Sequence, residues 1–289
     1  MQVNLDPDAG FCFGVKRAIK IAEEELSKFE NLLCLGEIVH NEEEIHRLGK
    51  AGLQTVGNNE VNKQLKKRVL FRAHGEPPAT YEKAKENQLE IIDATCPVVL
   101  KLQQRIRSAY LEMKPVDGQI SIIGSKNHPE IIGLAGQTDG EAIILETESD
   151  TDRINYRFPL RLYIQTTKDK TVLDKMVDLI TMKFEQQGIT KPDFKYFNTV
   201  CSQVSGRIPK LREFCRRHEV IIFVSGKNSS NGRYLFGECR SVNARSHFIS
   251  AQKEIDIKWF DRGEKVGISG ATSTPVWLME QIAEYLRKI

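Results

Sequence analysis

One pattern is written three times along this chain, and it restricts the fold more than any other feature. A cysteine stands ahead of a helix-like run, an apolar strand then ends in a polar turn, and a second strand ends in another. The series is Cys12, His40, His74; then Cys96, His128, Thr166; then Cys201, Ser229, Ser273. The clearest internal match sets Gly124-Ser125-Lys126-Asn127 against Ser225-Gly226-Lys227-Asn228, offset by 227 − 126 = 101 residues. The cysteines are spaced similarly, 96 − 12 = 84 and 201 − 96 = 105. Three related α/β domains of about 90 to 100 residues follow. Their expected limits are 13–96, 97–197, and 198–289 together with 1–12.

The local signals agree with that division. Val15, Ala18, Ile19, Ala22, Leu26 and Phe29 recur at helical spacing after Gly10-Phe11-Cys12-Phe13-Gly14. Strands are expected at Leu32–Leu35, Arg68–Arg72, Leu89–Ile92, Gln119–Ile123, Ala142–Leu145, Leu162–Ile164, Val220–Val224 and Lys265–Ile268. Helices are expected from about Glu42, from Pro97 to about Met113, from about Lys168 to Gln187, after Cys201, and around Trp277, Leu278, Ile282 and Leu286. Pro97 favours a first helical position, which makes Cys96 a cap residue.

Composition removes several classes. Six cysteines in 289 residues are too few and too scattered for a disulfide scaffold. The N-terminus lacks the basic start and apolar run of a secretory signal, so the mature chain is expected to begin at Met1. The densest apolar run, Val220–Val224, is strand-sized, which predicts a cytoplasmic protein outside the membrane. A formal net charge of +3, with both signs mixed along the chain, gives no footprint for nucleic acid.

Ligands of α/β proteins gather where strands end and helices begin, because unpaired amides and the helix dipole attract anions there. Three thiolates, from Cys12, Cys96 and Cys201, suit an iron-sulfur cluster or zinc with one coordination position left open. Cys34, Cys215 and Cys239 read as core residues. The turns add His40, His74 and His128, the hydroxyls of Thr166, Thr167, Ser229, Ser230 and Ser273, and the amide of Asn231. This donor set suits a phosphate or diphosphate. Glu130 follows His128 by two residues; beside an anionic cluster and substrate its pKa moves up, which suits a proton donor. On chemistry alone, an iron-sulfur hydro-lyase and a sensor of a phosphorylated ligand both remain open.

Taken in order, Gly10-Phe11-Cys12-Phe13-Gly14-Val15, Val39-His40-Asn41, Arg72-Ala73-His74-Gly75, Asp93-Ala94-Thr95-Cys96-Pro97, His128-Pro129-Glu130, Gln165-Thr166-Thr167, Asn228-Ser229-Ser230-Asn231 and Ser273-Thr274-Pro275 resemble the 4-hydroxy-3-methylbut-2-enyl diphosphate reductase family over nearly the whole chain. The resemblance implies a trefoil of three pseudo-threefold-related α/β domains around one 4Fe-4S cluster on Cys12, Cys96 and Cys201. It implies diphosphate binding by His40, His74, Ser229, Asn231 and Ser273, with His128 and Ser230 lining the pocket. Glu130, assisted by Thr166, is expected to protonate the leaving hydroxyl. Electrons are expected from a ferredoxin or flavodoxin, since no dinucleotide fingerprint is present, and a monomer is expected. Val98-Val99-Leu100, Asn127 and Ser202-Gln203-Val204 depart from the family pattern without replacing a proposed ligand. Phe11 and Phe13 are expected to shield the cluster from water.

Overall fold

The computed structural model describes residues 1–61 and 67–289. By compactness the chain divides into two units, residues 1–57 with 202–289, and residues 58–201. The first unit opens with β1 (Gln2–Leu5), α1 (Phe13–Leu26), β2 (Leu32–Leu35), α2 (Glu42–Lys50) and β3 (Leu53–Val56). The second contains α3 (Asn58–Val61), β4 (Arg68–Phe71), α4 (Pro78–Glu86), β5 (Glu90–Asp93) and α5 (Pro97–Met113). It continues with β6 (Gln119–Ile123), α6 (Pro129–Ala135), β7 (Ile143–Leu145), β8 (Leu160–Ile164), α7 (Lys170–Gln186) and β9 (Phe194–Tyr196). The chain then returns to the first unit through α8 (Ser202–Ser205), α9 (Arg207–Arg216), β10 (Val220–Val224), α10 (Ser230–Val242), β11 (Ser246–Ile249), β12 (Lys265–Gly270) and α11 (Val276–Lys288).

The fold class is α/β, with three parallel sheets among the described residues. One sheet of the first unit runs β1-β12-β10-β11, and one of the second runs β7-β6-β8-β9. The parallel pair β2–β3 lies in the first unit and β4–β5 in the second. Parallel strands need crossover helices, which cover both faces, so their sequences read as unbroken apolar runs. Every residue of β2, β8 and β10 is buried. In the first unit, Val220, Ile222 and Val224 pack with Leu278, Ile282 and Leu286 of α11, while Ile221 and Phe223 face Leu211 and Leu235 on the other side of the sheet. In the second, Leu160, Leu162 and Ile164 pack with Leu173, Met176 and Ile180 of α7, and Ile120 and Ile122 pack with Leu102 and Ile106 of α5.

The edge strands β1, β3, β9 and β11 and the helix α10 extend the sequence reading. β12 also runs two residues beyond the expected Ile268, and the helix after Cys201 is broken into α8 and α9. Cys34, Cys215 and Cys239 are fully buried. A hydrogen bond with Cys215, then burial, pushes the Cys239 thiol up, which keeps it protonated. Among the described residues, no helix is long and apolar enough to cross a membrane.

Candidate active site

The polar turns follow one register. His40, His128 and Ser229 each stand five residues past a strand, after Leu35, Ile123 and Val224. His128 and Ser229 are the N-caps of α6 and α10, and Asn41, next to His40, is the N-cap of α2. The side chain of each cap accepts a backbone N–H that the first helical turn leaves without a partner.

In the second unit, that register sets Glu130 in the first turn of α6, 2% exposed. The Thr166 N–H donates to Oε1 at 2.8 Å and the Thr166 hydroxyl to Oε2 at 2.7 Å. Burial pushes the carboxyl up, and the two Thr166 bonds oppose it without reversing the shift. The direction agrees with the sequence argument, and burial is the largest cause. His128 Nδ1 accepts the Glu130 N–H at 3.2 Å, so the neutral ring carries its proton on Nε2, where it can serve as a donor. The His74 ring meets the His128 ring edge-on, 5.5 Å between centroids. Thr167 Oγ1 accepts from Gln165 Nε2 at 2.8 Å.

In the first unit, the Ser229 and Ser273 hydroxyls lie 3.0 Å apart, and Ser229 Oγ also accepts the Gly232 N–H. Asn231 Oδ1 accepts both the N–H and the hydroxyl of Thr272, at 3.0 and 2.8 Å. Ser230, half-buried, is the first residue of α10. The turn at Gly226 runs against His40: a Cβ there would come 2.2 Å from the His40 carbonyl oxygen, so only glycine allows the approach. Glu44, fully buried, accepts from Trp277 Nε1 at 2.8 Å and from Arg47, which ties α2 to the helix that follows the Ser273 turn.

The three cysteines share a tether. The Cys12 N–H donates to the Thr272 carbonyl at 3.0 Å, Cys96 to Ala73 at 3.0 Å, and Cys201 to Thr166 at 2.8 Å. Each acceptor is the second residue past a strand, after Gly270, Phe71 and Ile164 respectively. All three cysteines are half-buried. Cys12 and Cys96 are the N-cap residues of α1 and α5, with no side-chain capping hydrogen bond, which places each at a helix N-terminus. This donor set fits an iron-sulfur cluster. Gly10, at φ +122°, needs glycine in the approach to Cys12. Phe13 corrects an expectation: its ring is 60% exposed, turned to solvent from the first position of α1, and only the half-buried Phe11 remains to shield a neighbouring group.

Sequence reasoning missed Thr272. Its signal was a threonine at the same distance past a strand as Thr166, hidden because β12 was expected to end two residues early.

The profile of the family described as LytB protein matches residues 3–287. The chain belongs to this family. Relatives of the LytB family that are named 4-hydroxy-3-methylbut-2-enyl diphosphate reductase include one from Bacteroides thetaiotaomicron, 46% identical over 99% of this chain and 98% of its own. The protein of that name from Porphyromonas gingivalis is 44% identical, over 99% of both chains. Among solved structures, the E-1-hydroxy-2-methyl-but-2-enyl-4-diphosphate reductase of Plasmodium falciparum is similar with a TM-score of 0.85 and 27% identity, covering 99% of this chain and 87% of that one. A second, described as (E)-4-hydroxy-3-methyl-but-2-enyl diphosphate reductase, the terminal enzyme of the non-mevalonate pathway, has a TM-score of 0.71 and 31% identity over all of both chains. Membership in the LytB family implies an iron-sulfur enzyme.

Proposed function

We propose that this chain reductively dehydroxylates (E)-4-hydroxy-3-methylbut-2-enyl diphosphate to isopentenyl diphosphate and dimethylallyl diphosphate, the last step of the methylerythritol phosphate pathway. The observation that carries the mechanism is the line Glu130–Thr166–Cys201, in which a buried acid is gripped by the residue whose carbonyl anchors a cysteine backbone. A sensor has no use for a buried carboxyl that burial pushes towards its neutral form. A group that must give up a proton does.

Cys12, Cys96 and Cys201 would hold one 4Fe-4S cluster per chain, which when bound supplies electrons and a Lewis-acidic position for the substrate hydroxyl. His40, His74, Ser229, Asn231 and Ser273 would hold the diphosphate through neutral donors, and His128, Ser230 and Thr167 would add further substrate contacts. Glu130 passes its proton to the hydroxyl oxygen as the C–O bond breaks, and water leaves. Thr166 orients the carboxyl and, through its own hydrogen bonds, stabilises the carboxylate that remains. The overall change consumes two electrons and two protons: one proton goes into the departing water and the other to the allylic carbon. Ferredoxin or flavodoxin supplies the electrons to a cytoplasmic monomer that binds neither nucleic acid nor membrane. The three domains divide at 13–96, 97–197, and 198–289 with 1–12.

Anaerobic purification, iron and acid-labile sulfide analysis, and turnover with the hydroxylated diphosphate and a chemical reductant test this reading. Iron, sulfide and both products are expected. Cys12→Ser should lose iron, and Cys215→Ser should keep it. A colourless protein with no labile sulfide after anaerobic reconstitution would sink the proposal, and equal iron loss in both variants would mean a wrong ligand set.

A further inference from the structure

Asn231 is 5% exposed, and its Nδ2 has no hydrogen-bond partner among the described residues, although a buried amide nitrogen without one is costly. Its Oδ1, by contrast, is fully engaged by the N–H and the hydroxyl of Thr272. A backbone N–H can be received only by the oxygen, so the N–H contact fixes which end of the amide faces Thr272. The hydroxyl then takes the second lone pair and fixes the plane. Both hydrogens of Nδ2 are thereby left for a ligand.

We infer that Thr272 is a positioning residue, locking the Asn231 amide so that Nδ2 presents both hydrogens to the diphosphate, as Thr166 locks Glu130. This rests on the diphosphate role proposed above for Asn231. The two pairs share a register. Thr272 and Thr166 are each the second residue past a strand, and Asn231 and Glu130 each stand two residues after the cap of the partner helix. In both pairs the threonine gives its N–H and its hydroxyl to one side chain. In both, its carbonyl accepts the N–H of a cysteine. Thr272 therefore links the backbone of Cys12 to the amide, and one residue holds both in place. The first repeat has Ala73 at this position, which keeps the cysteine tether and offers no hydroxyl.

The test is calorimetric titration of anaerobically reconstituted holoenzyme with inorganic pyrophosphate, alongside iron content. Thr272→Val, which keeps the branched shape and removes the hydroxyl, is expected to weaken binding about fivefold, the effect of one lost hydrogen bond. Thr272→Ser should bind as the parent does. Thr272→Ala, the residue the first repeat uses, should match Thr272→Val and replaces it if valine does not fold. Asn231→Ala should weaken binding about tenfold, and adding Thr272→Val to it should cost nothing more, because the hydroxyl acts through the amide. Full additivity of the two changes, or parental affinity in both Thr272→Val and Thr272→Ala while Asn231→Ala binds weakly, would overturn the positioning role and leave the diphosphate reading standing. Parental affinity in Asn231→Ala would instead remove Asn231 from the diphosphate site, and the inference with it.

Discussion

Glu130 and Asn231 hold the same register position in two repeats, and a threonine grips each with the same two donors, yet one ends in an acid and the other in an amide. In the acid, each oxygen receives one donor, and what the group can still offer is a proton. In the amide, one oxygen receives both donors, and what it can offer is a pair of N–H bonds. On the proposed reading, a single scaffold serves proton delivery in one place and anion binding in another, with the choice made by one side chain. Burial sharpens the contrast: it pushes the Glu130 carboxyl towards its neutral form, whereas it leaves the amide, which has no charged form, unchanged.

The largest expected effect comes from making the acid into an amide. Glu130→Gln keeps the shape and the Thr166 N–H bond, with the Thr166 hydroxyl turned to accept from the new amide, but has no transferable proton, so kcat should fall by about 10²–10⁴-fold with iron content and pyrophosphate affinity retained. Turnover near that of the parent would remove Glu130 as the donor. The reverse exchange is smaller. Asn231→Asp keeps both Thr272 bonds but replaces the N–H donors with negative charge facing the diphosphate, and pyrophosphate affinity measured by calorimetry should drop by about a hundredfold. Unchanged affinity would mean that the amide does not meet the anion.

Much of this was legible in the sequence because the strands that end in the site have apolar runs at their centres, most clearly Val220–Val224, and because glycines and prolines mark where they stop. The turns they lead into carried their own chemistry, so His128, Glu130, Thr166 and Ser229 stood out beside the cysteines. The edge strands were not legible: β3, β9 and β11 are three or four residues long and only partly buried, too short for alternation to separate them from loops. Helix α10 was hidden by its opening Ser229-Ser230-Asn231, which reads equally as a turn, although Ser229 caps it through the Gly232 N–H. Thr272 escaped for a related reason, since its register depends on β12 running to Gly270 through a glycine and serine that give no strand signal. Phe13 was misread because a ring next to a cysteine looks like shielding, whereas a helix's first residue can point outward.

The measurement that tests the account most directly is an infrared titration of the Glu130 carboxyl in the holoenzyme, with the band assigned by its absence in Glu130→Gln. Because burial raises this group, its protonated C=O band should persist above the pH at which an ordinary glutamate ionises, and should disappear only as the pH climbs through the raised value. A band that is already lost at or below the ordinary glutamate pH would show a carboxylate in the resting enzyme, and would contradict a proton donor raised by burial.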